Sequence, residues 1–296
     1  ETYGNGPAWA EVAKQVGLAD ATKSAGSVYV DSVYRAGAGQ RDALEKFLSE
    51  PPKRPSDTSS GSVLMQHLEG SEWNFLAVTR YNSWDDFAKN EIRPVAWEYD
   101  KDGRWPQEII EQAWELGLMN NHIPEEYGGP GSGYPDGAPV GEERSWGCSG
   151  IQTSVGCNGL ATAPLILAGS EALKKEYLGR LTETPLLASF CLTEPDAGSD
   201  VASMKTRAVR KGDKWVISGS KCFITNGSYA NYYTVYAKTD PAAGHRGISC
   251  FVVPRDAGVI VDKKEDKMGQ RASNTATVTF PDVEIPVDHL IGEENK

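Results

Sequence analysis

The chain has 296 residues, with 41 acidic against 30 basic side chains, a net charge of −11 and 39% apolar residues. Such an acidic balance argues against a nucleic-acid backbone as partner, and no apolar run reaches the roughly 18 residues that a membrane span needs. The length allows one large domain or two to three small ones with a buried core. Five cysteines, at 148, 157, 191, 222 and 250, are odd in number and form no CxxC pair. That usage fits a reducing compartment and argues against a metal site.

Residues 1–26 read as a leader or linker with one short helical pattern, and no charged-then-apolar targeting segment is visible. Residues 28–34 alternate as a strand, and 40–48 place Leu44, Phe47 and Leu48 on one helical face. A Pro/Ser linker covers 51–61, after which 63–68 and 73–80 read as a hairpin around Glu69-Gly-Ser-Glu72. Ser83 is a candidate N-cap for a helix starting at Trp84. This β-α-β-β-α order over residues 27–90 resembles a small dimeric ferredoxin-like module, in which His67 and Tyr81 are either site residues or structural ones.

From Arg93 the pattern turns helical, with Pro94 expected in a turn or kink. Residues 107–116 place Ile109, Ile110, Ala113 and Trp114 on one side, and Gly117 follows as a C-cap. Residues 128–141 are expected as loop. Two further helices are expected at 159–168 and 171–181. In the last third, strands are expected at 186–192, 215–218, 232–237, 248–253 and 275–280. The stretch 214–227 is read as two strands joined by a hairpin turn at Gly219-Ser220. Thr193-Glu-Pro-Asp-Ala-Gly-Ser199 and the end of the second strand, at Thr225-Asn-Gly227, are rich in short polar residues. Such strand ends either line a site for a planar ligand with phosphates or serve as ordinary turns.

The strings themselves carry a resemblance. Thr193-Glu-Pro-Asp-Ala-Gly-Ser-Asp200, Phe223-Ile-Thr-Asn-Gly227, Met268-Gly-Gln-Arg-Ala-Ser-Asn-Thr275 and Phe280-Pro-Asp-Val-Glu-Ile-Pro286 resemble the flavin-binding β-domain of the acyl-CoA dehydrogenases. Ala113-Trp-Glu-Leu-Gly-Leu-Met119 and Ile123-Pro-Glu-Glu-Tyr-Gly-Gly129 are similar to that family's N-terminal helical domain. The likeness runs from about Phe87 to Lys296. The expected fold is therefore α+β and multidomain. A ferredoxin-like segment (27–90) precedes a helical domain (91–185) and a β-barrel domain (186–296).

The resemblance implies FAD-dependent α,β-dehydrogenation of a fatty acyl-CoA thioester, as in fatty-acid β-oxidation. By that likeness Phe190, Leu192, Thr193, Ser199, Phe223 and Thr225 bind the flavin. Thr193 would meet its pyrimidine side, Ser199 its pyrophosphate and Thr225 its N5. Phe190 stands where tyrosine is frequent and Phe223 where tryptophan usually packs on the ring. Gln152, Thr153 and Gly156 fall on the helix at the bottom of the acyl pocket. Medium-chain members carry a carboxylate at the place of Gly156, so glycine implies room for a longer or bulkier acyl chain. Alternatively, Gly156 lets two helices approach closely. Arg271 is read as part of a turn with a salt bridge.

The family's base lies in a C-terminal helical bundle beyond these motifs, so the chain is expected to lack it and no catalytic base is assigned. The implied partners are an acyl-CoA substrate, an electron-transferring flavoprotein as acceptor and further subunits of a homo- or hetero-oligomer. Mitochondrial matrix and bacterial cytoplasm fit equally. The competing reading is a noncatalytic structural or assembly subunit derived from such an enzyme.

Overall fold

In the computed structural model the described residues are 88–295 and the backbone of three earlier strands, at 28–34, 61–66 and 75–81. The chain divides into two compact units, Glu1–Val95 and Ala96–Lys296.

In the first unit β1 (Val28–Tyr34), β2 (Gly61–Gln66) and β3 (Phe75–Tyr81) form an antiparallel sheet in the order β1-β3-β2. Tyr34 pairs with Phe75 at one end of β3 and Gly61 with Arg80 at the other. The expected helix at 40–48, the hairpin turn and His67 lie outside the described residues. Tyr81 ends β3.

A run of helices follows β3 in the chain. Ala88–Ile92 makes one wide turn running into α1 (Arg93–Asp102). Pro94 is thus neither in a loop nor at a break: it occupies the first turn of α1, where the wide preceding turn absorbs its missing N–H. α2 (Gln107–Glu115) buries Ile109, Ile110 and Ala113, the side that its spacing predicts. Its end is closed by Gly117 at φ 65°, which lets Leu118 N–H reach the Ala113 carbonyl at 2.8 Å.

α3 (Tyr134–Gly147) overturns the loop expected over 128–141 from Tyr134 on, while 128–133 stay irregular. Glycines and prolines there read as loop punctuation, yet Pro139 is carried inside the helix. α4 (Ser149–Ala168) is longer at its start than periodicity suggests. It is apolar all round, as befits a helix with more than one covered side. α5 (Glu171–Glu183) starts at Ser170, whose hydroxyl accepts from Leu173 N–H at 3.3 Å.

The β-region is one eight-stranded sheet. Its strands are β4 (Ala188–Cys191), β5 (Arg207–Lys211), β6 (Lys214–Thr225), β7 (Tyr232–Lys238), β8 (Ile248–Pro254), β9 (Ile260–Lys264), β10 (Thr275–Pro286) and β11 (Leu290–Ile291). The order is β11-β8-β7-β5-β6-β10-β9, with β4 added parallel to β7.

The hairpin expected inside 214–227 does not exist. β6 runs unbroken through Gly219, because a side chain there would strike Thr206, whose Oγ1 lies 2.4 Å from the place of a Cβ. Glycine at 219 marks a close approach of two backbones rather than a turn.

Trp215 touches Phe251 across strands that are not neighbours, ring centroids 5.2 Å apart, so the sheet folds over on itself. Inside that fold lie Ile217, Tyr233, Val235, Val253, Val278, Phe280 and Ile285. The alternate residues of β7 and β8, including Tyr232, Cys250 and Val252, pack instead against Leu165, Leu173, Tyr177 and Leu181 of the helices. Burial on both faces explains the continuous apolar runs in these two strands.

Candidate functional site

The site is built where the ends of β4 and β6 meet the first half of α4. Ser189 Oγ donates to the Thr225 carbonyl at 2.7 Å, and Cys157 Sγ of α4 lies 3.5 Å from the Ala188 carbonyl and 3.6 Å from that of Thr225. Asn226, at φ 58°, donates its amide to the Ser154 carbonyl at 2.8 Å. Asn158 completes the joint. Its amide donates to Asn120 Oδ1 at 2.9 Å and to the Leu186 carbonyl at 3.0 Å, while its oxygen accepts from Ala188 N–H at 2.8 Å.

Phe223 is placed by a bulge. Between the pairs Lys221–Val278 and Ile224–Ala276 the register shifts, so Cys222 and Phe223 together oppose Thr277. Phe223 takes a left-handed backbone, φ 58°, and its ring is 65% exposed. The extra residue turns an aromatic ring out to solvent, as bulges near binding sites do. Cys222 N–H points away from the ladder and donates to the Thr193 carbonyl at 2.9 Å.

Beneath the same turn lies a buried ion pair. Lys221, completely buried, donates to Glu194 Oε1 at 2.7 Å and to the Leu192 carbonyl at 3.0 Å. Glu194 also accepts from the N–H groups of Lys205 at 2.6 Å and Thr206 at 3.1 Å. Burial works against the Glu194 charge, but the hydrogen bonds from Lys205, Lys221 and Thr206 outweigh it and hold the carboxyl below its ordinary range. Burial draws the Lys221 ammonium down, and Glu194 offsets this only in part.

The expected flavin residues on the strand ends are therefore neighbours. Phe190 is half-buried and packs on Tyr236 at 5.2 Å, on the helix-facing side of the sheet. Leu192, Thr193 and Thr225 are half-buried. Their main-chain carbonyls accept hydrogen bonds, Leu192 from Lys221, Thr193 from Cys222 N–H and Thr225 from Ser189 Oγ, and the hydroxyl of neither threonine takes part in these contacts. Ser199 is exposed on the turn after Ala197, and no hydrogen bond among the described residues joins it to the others.

On α4, Thr153 Oγ1 donates to the Ser149 carbonyl at 2.8 Å and lies 3.5 Å from Gln270 Oε1. The buried Gln152 Oε1 has no hydrogen-bond partner among the described residues. Gly156 is exposed, and only the Gln152 side chain lies near the place of its Cβ, with Nε2 at 3.2 Å. No second helix among the described residues makes the close approach that would explain this glycine. The close approach occurs instead at Gly150, where a Cβ would sit 3.1 Å from Gln270 Cα. Arg271 pairs with Asp266 at 3.1 Å and donates from its main chain to Asp100 at 2.7 Å, a structural role.

Sequence reasoning missed Asn158, the bulge and the Lys221–Glu194 pair. A lysine in an otherwise apolar strand was the available signal for the last of these.

The chain matches two family descriptions, the acyl-CoA dehydrogenase N-terminal domain over residues 81–184 and the middle domain over 189–283. The chain belongs to the acyl-CoA dehydrogenase family.

Among curated relatives, the probable medium-chain specific acyl-CoA dehydrogenase 2, mitochondrial, of Caenorhabditis briggsae is 44% identical over 210 residues, 70% of this chain and 52% of the relative. Among solved structures, butyryl-CoA dehydrogenase from Megasphaera elsdenii superposes with a TM-score of 0.69 at 34% identity, covering 72% of this chain and 57% of the other. A glutaryl-CoA dehydrogenase from Mycobacterium smegmatis in complex with FADH2 does so with a TM-score of 0.65 at 31% identity, covering 71% and 54%. The chain spans about half the length of the relatives it matches. Members of this family are FAD flavoproteins that dehydrogenate acyl-CoA. Among the described residues no helix is long and apolar enough to cross a membrane.

Proposed function

We propose that this chain forms the flavin- and acyl-binding shell of an FAD-dependent dehydrogenase acting on fatty acyl-CoA thioesters. The observation that carries the reading is Phe223, an aromatic side chain turned into solvent by a bulge whose neighbour Cys222 bonds Thr193 and which lies two residues before the half-buried Thr225. An exposed apolar ring held by a strained backbone marks a binding surface more than a packing site. The orphaned Gln152 oxygen adds a buried acceptor on the neighbouring helix.

In this reading Phe223 packs on the face of the isoalloxazine, and Thr193 and Thr225 donate to its polar edge. Ser199 reaches the pyrophosphate, and Phe190 and Leu192 exclude water from the ring's apolar side. Bound FAD supplies the two-electron acceptor for the β hydrogen. Gln152, Thr153 and Gly156 line the acyl pocket, and the bare surface at Gly156 leaves room for a long or bulky chain.

Glu194 is not the base that takes the α proton, since its oxygens are committed to Lys221, Lys205 and Thr206. No carboxylate among the described residues is assigned to that step. The electron acceptor is an electron-transferring flavoprotein, and the chain works within a homo- or hetero-oligomer in a mitochondrial matrix or bacterial cytoplasm. The antiparallel β1-β3-β2 sheet supports reading residues 27–90 as a ferredoxin-like module.

The test is the visible spectrum of the purified chain before and after anaerobic addition of a long-chain acyl-CoA. A flavin spectrum that bleaches is expected if a base is present in the assembly. One that shifts without bleaching marks the shell alone. A chain that takes up no flavin overturns the reading in favour of a noncatalytic assembly subunit.

A further inference from the structure

Between the last residue of β4, Cys191, and the first of β5, Arg207, the chain makes a long excursion that carries both Thr193 and Ser199. Much of this excursion is exposed, including Pro195, Asp196, Gly198, Ser199 and Asp200. Its own regular hydrogen-bonding is confined to a tight turn closed by Glu194 and Ala197 and one short turn at Val201–Ser203. Something must fix its shape if it is to meet a ligand in one geometry.

The two ends of the excursion are joined through a single buried side-chain pair. Lys221 Nζ donates to the Leu192 carbonyl, at the start, and to Glu194. Glu194 accepts from Lys205 and Thr206 N–H, at the finish. Glu194 and Ala197 bond each other's main chain at 3.0 and 3.1 Å, which closes the turn that leads to Ser199. The residue after Lys221, Cys222, donates to the Thr193 carbonyl. Apart from the Lys221–Glu194 link itself, these bonds hold main chain at Thr193 or on either side of it.

A buried ion pair is a weak source of stability, because desolvation offsets most of its attraction. An apolar pair of similar volume would fill the space equally well but would leave the Leu192 carbonyl and two N–H groups unmatched. What the charged pair provides is geometry.

We propose that Lys221 and Glu194 are positioning residues, which clamp the main chain from Leu192 to Thr206 so that Thr193 and Ser199 are presented to the flavin. The inference rests on the flavin reading above for its purpose, and on the hydrogen bonds alone for the clamp.

Two measurements on the purified chain separate these. The first is FAD affinity and the visible spectrum of the bound flavin in Lys221→Met, Glu194→Gln and a core control, Phe251→Leu. Lys221→Met is expected to weaken FAD at least tenfold and to shift the flavin absorption. Glu194→Gln keeps the shape and one acceptor, so a smaller loss is expected. The control is expected to lower the melting temperature without changing affinity or spectrum. An affinity within twofold of the parent in Lys221→Met, or a loss matched by the control, overturns the positioning role.

The second is amide hydrogen exchange, which needs no flavin. In Lys221→Met the amides of Lys205, Thr206 and Cys222 are expected to lose protection while those of Val235 and Phe251 keep theirs. Unchanged or uniformly faster exchange overturns the clamp. A parent chain that takes up no FAD overturns the flavin reading itself, and the exchange pattern then decides the clamp independently.

Discussion

Phe223 shows how one backbone angle sets what a side chain is for. On the neighbouring positions of β6, Cys222 and Ile224 are buried, whereas the left-handed residue between them is 65% exposed. Phe223→Ala should therefore leave the melting temperature nearly unchanged while weakening FAD about tenfold, the worth of one aromatic contact. Titration of the purified chain followed by flavin absorbance checks it. At Gly156 the open space around the missing Cβ leads to a second expectation. Gly156→Glu should fold normally and lower the affinity for long acyl chains tenfold or more relative to short ones, read from the perturbation of the flavin spectrum.

His122 gives a pH dependence with a definite sign. Its Nε2 lies 2.6 Å from Thr162 Oγ1, and since that hydroxyl already donates to the Asn158 carbonyl at 2.7 Å, the ring donates here. Burial lowers its pKa from the ordinary 6.5. The unfolded chain thus takes up a proton at a pH where the folded chain does not. The stability is present above 6.5 and is lost as pH falls from there toward the lowered folded value. Thermal melts from neutral to mildly acid pH should show this slope in the parent chain and a flatter one in His122→Gln.

Among the elements, α4 is the one that sets the site. It carries Cys157 and Asn158 to β4 and receives Asn226 from the end of β6. Its sequence looks like a uniformly apolar helix with a few small polar residues, and nothing in the periodicity says which of them matter. Asn158→Ala would orphan the Leu186 carbonyl, the Ala188 N–H and Asn120 Oδ1 in a buried setting. The expected loss is about 3 kcal/mol, measurable by denaturant unfolding, with FAD affinity falling because β4 loses its seat.

The β-elements illustrate what local pattern can and cannot say. Short apolar runs located β7 and β8, and alternation located the first parts of β6 and β10. It misread Gly219 as a turn because the same residue serves a turn and a close contact equally well, and only the proximity of Thr206 decides between them. The loop expected at 128–141 failed from Tyr134 on for a related reason. Gly137 and Pro139 weaken a helix locally, and tertiary context overrides that weak preference in α3.

For the whole molecule, the chain divides at Val95 and Ala96, inside the stretch 81–184 that matches the family's N-terminal domain, and the strand-end site lies wholly in the second unit. Removing residues 1–90 leaves every contact described at the strand ends in place. FAD affinity of the shortened chain should stay within about twofold of the parent, a shift of roughly 0.4 kcal/mol. A complete loss of flavin on this removal would count against the placement of the site on β4, β6 and α4.

The sequence by itself determined the family strings, the helical character of 107–116 and 171–181, and the polar strand ends that mark the candidate site. These are carried by short-range signals: side-chain period, capping residues and runs of a few adjacent residues. Tertiary structure alone decided that β6 is one strand, that Phe223 faces out, and that Lys221 and Glu194 meet beneath Thr193. Each of these depends on residues far apart in the chain. Glu194 and Lys221 are separated by 27 positions, and Thr206, just before β5, meets Gly219 in β6 across 13 positions, and no local pattern encodes such pairings.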